Sequence, residues 1–118
     1  MEIDPWASKG VQNYKEICEK FGLDTIDHTK LPSPTHLHRR GIIFAHRDLN
    51  NVLDARKAGR PFGVLSGLMP SGQIHLGHKM VIDQAKWFQD LGGDVTITIA
   101  DLEAHATRGL SLEECRKY

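Results

Sequence analysis

The stretch Pro70-Ser71-Gly72-Gln73-Ile74-His75-Leu76-Gly77-His78 decides how this sequence is read. Just before it, Pro61-Phe62-Gly63-Val64-Leu65-Ser66-Gly67 has the apolar, glycine-bounded pattern of a buried strand. Just after it, Ile74, Val81, Ala85 and Phe88 recur at helical spacing, with Leu91 at the edge of the stripe and Gly92-Gly93 as a stop. The spacing predicts a helix from Ile74 to Leu91. The run from Asp94 to Ala100 is rich in β-branched residues and predicts a second strand. Strand, helix and strand in that order form a βαβ unit, with a right-handed crossover expected.

The loop between a buried strand and the following helix is where open α/β sheets bind nucleotides. A helix N-terminus offers free N–H groups and partial positive charge to a phosphate. Ser71 and Gly72 permit a tight loop close to such a ligand. His75 and His78 are three apart, so they are expected on one face of the first helical turn, where two imidazoles can donate to phosphate oxygens. Gly77 between them lets a flat base pack on the backbone. This set suits attack on the α-phosphate of ATP with loss of pyrophosphate, a reaction that needs positioning and charge stabilisation more than a strong protein nucleophile. A pair of histidines at this spacing is common by itself; the preceding strand, the Pro-Ser-Gly loop and the glycine give it meaning. A zinc site of the H-E-x-x-H kind is disfavoured because the glutamate is missing, and the P-loop pattern G-x-x-x-x-G-K-[ST] is absent.

Working outward toward the N-terminus, Val11, Tyr14, Ile17, Cys18 and Phe21 predict a helix over about residues 10–21, stopped by Gly22. Leu23 to Pro34 reads as a connecting loop. Ser33-Pro34 reads as a helix entry for His36-Leu37-His38-Arg39-Arg40, ending at Gly41. The basic cluster in that helix is expected to be a solvated face. Asp48 is expected to cap a helix with Leu49, Val52 and Leu53 inward, Arg56 and Lys57 in its last turn, and Gly59 as its stop. His28 and His46 read as loop histidines, Trp87 and Phe88 as packing residues. Toward the C-terminus, Ser111-Leu112-Glu113-Glu114 has the form of a capping box. It opens a helix close to Tyr118, and two strands cannot complete a parallel sheet. The expectation is therefore a truncated α/β fold: residues 1–60 a mostly helical extension, residues 61–118 the start of a Rossmann-like ATP-binding domain.

The bulk properties narrow the class. The 118 residues hold 15 Lys plus Arg against 15 Asp plus Glu, so no global field points to nucleic acid. Cys18 and Cys115 stand far apart with no C-x-x-C pair, which fits buried thiols in a reducing compartment. Met1-Glu2-Ile3-Asp4-Pro5-Trp6 lacks the features of a signal peptide, and no apolar run approaches the roughly 20 residues of a membrane span. A cytoplasmic protein without membrane contact is expected. Trp6 needs a partner, because it sits in a terminus that would otherwise be mobile.

The Pro70–His78 stretch resembles the HIGH signature of class I aminoacyl-tRNA synthetases, written here as His75-Leu76-Gly77-His78. Ala100-Asp101-Leu102-Glu103-Ala104 resembles the corresponding segment of the tyrosyl/tryptophanyl subgroup. Asp4-Pro5-Trp6 and the string from Arg39 to Asp48 resemble the extension of the archaeal and eukaryotic tryptophanyl-tRNA synthetases. The resemblance runs over essentially the whole chain. It implies tryptophan activation with ATP and Mg2+, then transfer to tRNA(Trp), by an enzyme that is typically a homodimer. By position it implies that His75 and His78 act in catalysis. Pro70, Ser71, Gly72, Gln73, Ile74, Leu76 and Gly77 complete the ATP-binding region. Glu103, Asp101, Thr98 and Leu65 are the candidates for amino-acid contacts, and no protein-held metal is implied. The sequence departs from the family in three places. Leu65 stands where the eukaryotic tryptophan enzymes and the archaeal tyrosyl enzymes carry a tyrosine facing the amino-acid pocket; the missing polar handle for a phenol argues against tyrosine as substrate. Thr98 stands where the eukaryotic tryptophan enzymes carry a glutamine that contacts the indole, so the two departures together leave the indole contacts unexplained. The KMSKS loop and the anticodon-binding helical domain are absent from these 118 residues. Other readings are a tyrosyl-tRNA synthetase, a nucleotidyltransferase of the H-x-G-H kind, and a non-catalytic ATP-binding fragment; the last suits the segment alone, expected to be inactive.

Overall fold

The computed structural model describes residues 13–118. They fall into two compact units divided between Leu49 and Asn50. The first three residues of the predicted N-terminal helix, and Asp4-Pro5-Trp6, lie outside the described residues.

In the first unit, α1 spans Tyr14–Phe21. It starts where the Asn13 side chain accepts the Glu16 N–H at 3.2 Å and stops at Gly22, whose φ of 59° is the left-handed conformation of a helix C-terminus. The segment read as a plain loop holds more structure than expected. β1 (Asp24–Thr25) pairs antiparallel with β2 (Ala45–His46), Asp24 opposite His46. A 3₁₀ turn at His28–Lys30 is capped by Asp27, and hydrogen bonds from Thr29 hold that carboxyl at about 2. α2 spans His36–Arg39 with Thr35 as its N-cap. The predicted entry at Ser33-Pro34 is therefore two residues early, and Ser33 instead takes a positive φ of 48°.

His38 corrects a second expectation. It is not on a solvated face: it is 2% exposed and packs beside Leu37. Its Nδ1 accepts the Thr35 N–H at 3.1 Å. His36, Arg39 and Arg40 are exposed, as the basic cluster reading requires. α3 (Leu49–Lys57) carries Arg56 and Lys57 in its last turn, and Gly59 (φ 65°) follows its end. Leu49, Val52 and Leu53 are half-buried. Asp48 does not cap α3: it has a φ of 60°, and the His46 Nδ1 accepts the Leu49 N–H at 3.3 Å.

The second unit holds α3 from Asn50 onward and, after it, a βαβ unit extended by two helices. β3 (Gly63–Leu68) and β4 (Asp94–Ile99) pair in parallel, in register from Gly63 opposite Asp94 to Leu68 opposite Ile99. α4 (Leu76–Asp90) joins them and packs on both strands. Ala85, Trp87 and Leu91 are buried on α4 and at its end, but the expected stripe members Ile74 and Val81 are exposed. α4 therefore turns its later half into the core and leaves its first two turns freer. Gly93 is needed where the chain turns into β4, since a Cβ there would come within 2.6 Å of the Phe62 ring. α5 (Asp101–Arg108) and α6 (Leu112–Cys115) pack together, with Ala104 and Cys115 buried. The expected capping box is present: Ser111 and Glu114 exchange hydrogen bonds at the start of α6.

β3 is not the buried strand its sequence suggests. Its residues alternate exposed and half-buried, and Leu65 is 74% exposed. In a parallel pair, residues in register point to the same side. Leu65, Gly67, Thr96 and Thr98 therefore share one face, and Ser66, Leu68, Ile97 and Ile99 the other.

Candidate functional site

The C-terminal ends of β3 and β4, the loop from Met69 to His75, and the start of α4 converge in the second unit. The loop closes with a tight turn in which the Ser71 N–H donates to the Met69 carbonyl at 2.9 Å. α4 begins at Leu76, two residues later than its sequence pattern suggests. His75 is consequently not in the first turn. It is the N-cap, in extended backbone (φ −137°), and His78 is the third helical residue.

The two histidines form a reciprocal cap. The His75 Nδ1 accepts the Gly77 N–H at 3.1 Å, and the His78 Nδ1 accepts the His75 N–H at 3.2 Å. Their rings lie 4.1 Å apart, tilted by 51°. A nitrogen that accepts an N–H carries no hydrogen itself, so both neutral rings hold their proton on Nε2. Neither Nε2–H is engaged by a described residue. Two N–H donors are thus fixed at the positive end of a fifteen-residue helix. Gly77 serves this cap directly: a Cβ there would stand 2.9 Å from His75 Cε1, so the glycine makes room for the imidazole.

A cavity of about 210 Å³ lies beside this cap. Leu68 and Ile99 line it from the strands, Pro70, Gly72 and Ile74 from the loop, and His78 from α4. The structure therefore gathers His78 with three of the predicted loop positions, Pro70, Gly72 and Ile74. His75, Ser71, Gln73, Leu76 and Gly77 stand around the cap without lining the cavity. Met69, Cys115, Arg116 and Tyr118 also line it and were not singled out from the sequence. Met69 belongs to the loop itself, while Cys115, Arg116 and Tyr118 come from the end of α6 and the residues after it, far downstream, and so leave no local signal.

The amino-acid candidates sit elsewhere in the same unit. Leu65 and Thr98 are on the exposed face of the sheet, flanking Gly67. Asp101 and Glu103 lie in the first turn of α5. The Asp101 carboxylate accepts the Leu102 N–H at 2.9 Å. The Glu103 carbonyl accepts the Thr107 hydroxyl, while its exposed carboxylate makes no hydrogen bond or ion pair with a described residue.

Residues 57–117 match the family described as tRNA synthetases class I (W and Y). The chain belongs to this family. Tryptophan–tRNA ligase of Methanosarcina acetivorans is 42% identical over 98% of this chain and 27% of its own length. That of Halobacterium salinarum is 45% identical over 98% of this chain and 23% of its own length. Among solved structures, tryptophanyl-tRNA synthetase of Aeropyrum pernix superposes with a TM-score of 0.78 at 38% identity, covering 98% of this chain and 33% of that one. The enzyme from Encephalitozoon cuniculi, solved bound to tryptophan, gives 0.77 at 31% identity, covering 90% and 34%. The chain thus spans about a quarter of the curated synthetases it matches. Within that span, the βαβ unit is the Rossmann-like element of the class I synthetase fold.

Proposed function

We propose that the protein carrying this segment activates tryptophan with ATP to form tryptophanyl-adenylate, and then transfers it to tRNA(Trp). The observation that carries this reading is the His75–His78 cap, with its two outward Nε2–H donors at a helix N-terminus. Negative charge develops on the α-phosphate oxygens as the tryptophan carboxylate attacks and pyrophosphate departs. Donors fixed beforehand stabilise that charge without reorganising during the step. Ser71 and Gly72 shape the loop, with Pro70, Gln73, Ile74, Leu76 and Gly77 completing the ATP-binding region. Glu103, with a free carboxylate, suits the ammonium group of the amino acid, and Asp101 is a neighbouring contact. Leu65 and Thr98 face the amino-acid ring.

Mg2+ enters this reading as the counter-ion of the triphosphate; among the described residues no three His, Cys, Asp or Glu side chains come together as a protein-built metal cage. In this reading residues 1–60 form the extension and residues 61–118 begin the ATP-binding domain of a cytoplasmic homodimer. No helix of the described residues is long and apolar enough to cross a membrane. Leu65, where a tyrosine-activating enzyme would present a polar partner to the phenol, favours tryptophan over tyrosine.

The test is tryptophan-dependent exchange of pyrophosphate into ATP by the full-length protein. Exchange with tryptophan and not with tyrosine is expected. Exchange that depends on tyrosine, or on a nucleotide in place of an amino acid, would overturn the assignment. The 118-residue segment alone should show no exchange, because its two-stranded sheet leaves Leu65 and Ile99 uncovered and its sequence holds no KMSKS loop.

A further inference from the structure

Thr107 lies one turn after Glu103 on α5, on the same side of the helix. Its hydroxyl donates to the Glu103 carbonyl at 2.7 Å. The same hydroxyl reaches the Met69 sulfur at 3.7 Å. A hydroxyl holds one hydrogen, so the carbonyl and the sulfur compete for it. The contact thus joins the helix of Glu103 to the first residue of the loop that leads into the histidine cap. That loop is fixed at both ends: the Leu68 carbonyl accepts the Ala100 N–H at 2.9 Å, and His75 caps α4. Between those ends, among the described residues, no other side-chain hydrogen bond ties residues 69–74 to another element. Pro70, Gly72 and Ile74 border the cavity of about 210 Å³ and so lack packing partners on that side.

We propose that Met69 and Thr107 are positioning residues that couple the two substrates: the O–H···S contact sets the ATP loop and the helix of Glu103 together. The proposal rests on the reading above that the loop receives ATP and Glu103 the amino-acid ammonium. An ammonium paired with the Glu103 carboxylate holds the first turn of α5, and with it the hydroxyl one turn on. Met69 then finds its partner in place, and the loop is ordered before ATP arrives. ATP on the loop does the converse: it presents Met69 to Thr107 and steadies the same helical turn from the other side. Each ligand relieves the other of part of the ordering cost, which is positive cooperativity. Such coupling is reciprocal. The factor by which the amino acid tightens ATP equals the factor by which ATP tightens the amino acid.

The experiment measures ATP binding to the full-length protein by titration calorimetry, with and without saturating L-tryptophanol. This probe keeps the indole and the ammonium but lacks the carboxylate, so no adenylate forms. Tryptophanol is expected to tighten ATP by about fivefold or more, and ATP to tighten tryptophanol by the same factor. Met69→Leu keeps the volume and removes the sulfur. It should bring the factor close to one while each ligand still binds alone. Thr107→Val should do the same, and the two changes together no more than either alone. Thr107→Ser, which keeps the hydroxyl, should retain the coupling. A factor unchanged in Met69→Leu, or single effects that add, would overturn the proposal. So would a loss confined to Thr107→Val, which would trace the effect to the bond with the Glu103 carbonyl and not to the loop. Pyrophosphate exchange on the same preparations distinguishes this from failure of the underlying reading. Tryptophan-dependent exchange without coupling leaves the activity standing and removes the proposal; absence of both exchange and tryptophanol binding removes both.

Discussion

The helix starts at α4 and α6 use the same device with different chemistry. At α6, the Ser111 hydroxyl accepts the Glu114 N–H and the Glu114 carboxylate accepts the Ser111 N–H. At α4, His75 and His78 occupy the equivalent positions and make the equivalent exchange through their Nδ1 atoms. Serine and glutamate are good capping residues. Histidine is not among the preferred ones. The Ser–Glu cap puts a negative charge at the positive end of its helix, which stabilises it. The His–His cap satisfies the same backbone groups and leaves two N–H donors pointing away. One cap closes its helix end; the other leaves its helix end ready for an anion. A third variant, at α2, pairs Thr35 with the buried His38. Histidine thus caps in both settings, and exposure decides whether its far nitrogen is available to a ligand.

The comparison can be broken most directly by exchanging the caps. His78→Ala in the full-length protein should slow adenylate formation by roughly 10²–10³, the loss typical of one transition-state donor. The double change His75→Ser with His78→Glu transplants the α6 cap onto α4. It should lose at least as much activity, because a carboxylate now faces the phosphates, while the thermal midpoint does not fall. Pyrophosphate exchange and a melting curve measured on the same preparation decide it. If the transplanted cap supports exchange at the original rate, the imidazoles act only as caps and the functional distinction between the two helix starts disappears.

The βαβ unit was legible in the sequence because its signals are long: six residues in each strand and fifteen in α4. The details that make the site were not. α4 begins two residues late because its cap is a histidine, a residue that capping rules do not flag, so His75 and His78 were placed on one helix face instead of across the helix start. α5 gave no start signal: its N-cap is Ala100, which makes no side-chain cap hydrogen bond. β1 and β2 are two residues each, shorter than any alternation that could reveal them. At Ser33 and Asp48 good capping residues misled, because each sits at positive φ beside the true capping group, Thr35 in one case and His46 in the other. The exposure of Leu65 was hidden for a different reason: an apolar strand looks the same whether or not a further layer covers it.

The buried cap at α2 sharpens the comparison through pH. Burial pushes the His38 imidazolium below its ordinary pKa of 6.5. The unfolded chain then binds a proton that the folded chain refuses, so stability rises with pH through this window. The His38 contribution is fully present above about 6.5. It is lost as the pH falls from there toward the depressed folded value. Replacing His38 with Gln, which can also accept the Thr35 N–H, should remove that part of the pH dependence. The measurement is the melting midpoint of full-length wild type and variant from pH 8 to pH 5. Curves that stay parallel across this range would show that His38 does not hold its proton back.

The smallest effect is expected at α6, and it separates capping from function. Ser111→Ala removes one acceptor from an exposed helix start and should cost about 1 kcal/mol locally. That corresponds to roughly fivefold faster hydrogen exchange at the Glu114 and Cys115 amides. Glu114 adds a pH signature of opposite origin. Its hydrogen bonds from Ser111 hold the carboxyl below its ordinary 4.5, so its contribution is present above that value and disappears as the pH falls through the depressed one. Both effects should leave pyrophosphate exchange unchanged at neutral pH. A cap at α6 that altered exchange would tie this helix to the reaction, and Cys115 and Arg116, which line the cavity beside His78, would be the route.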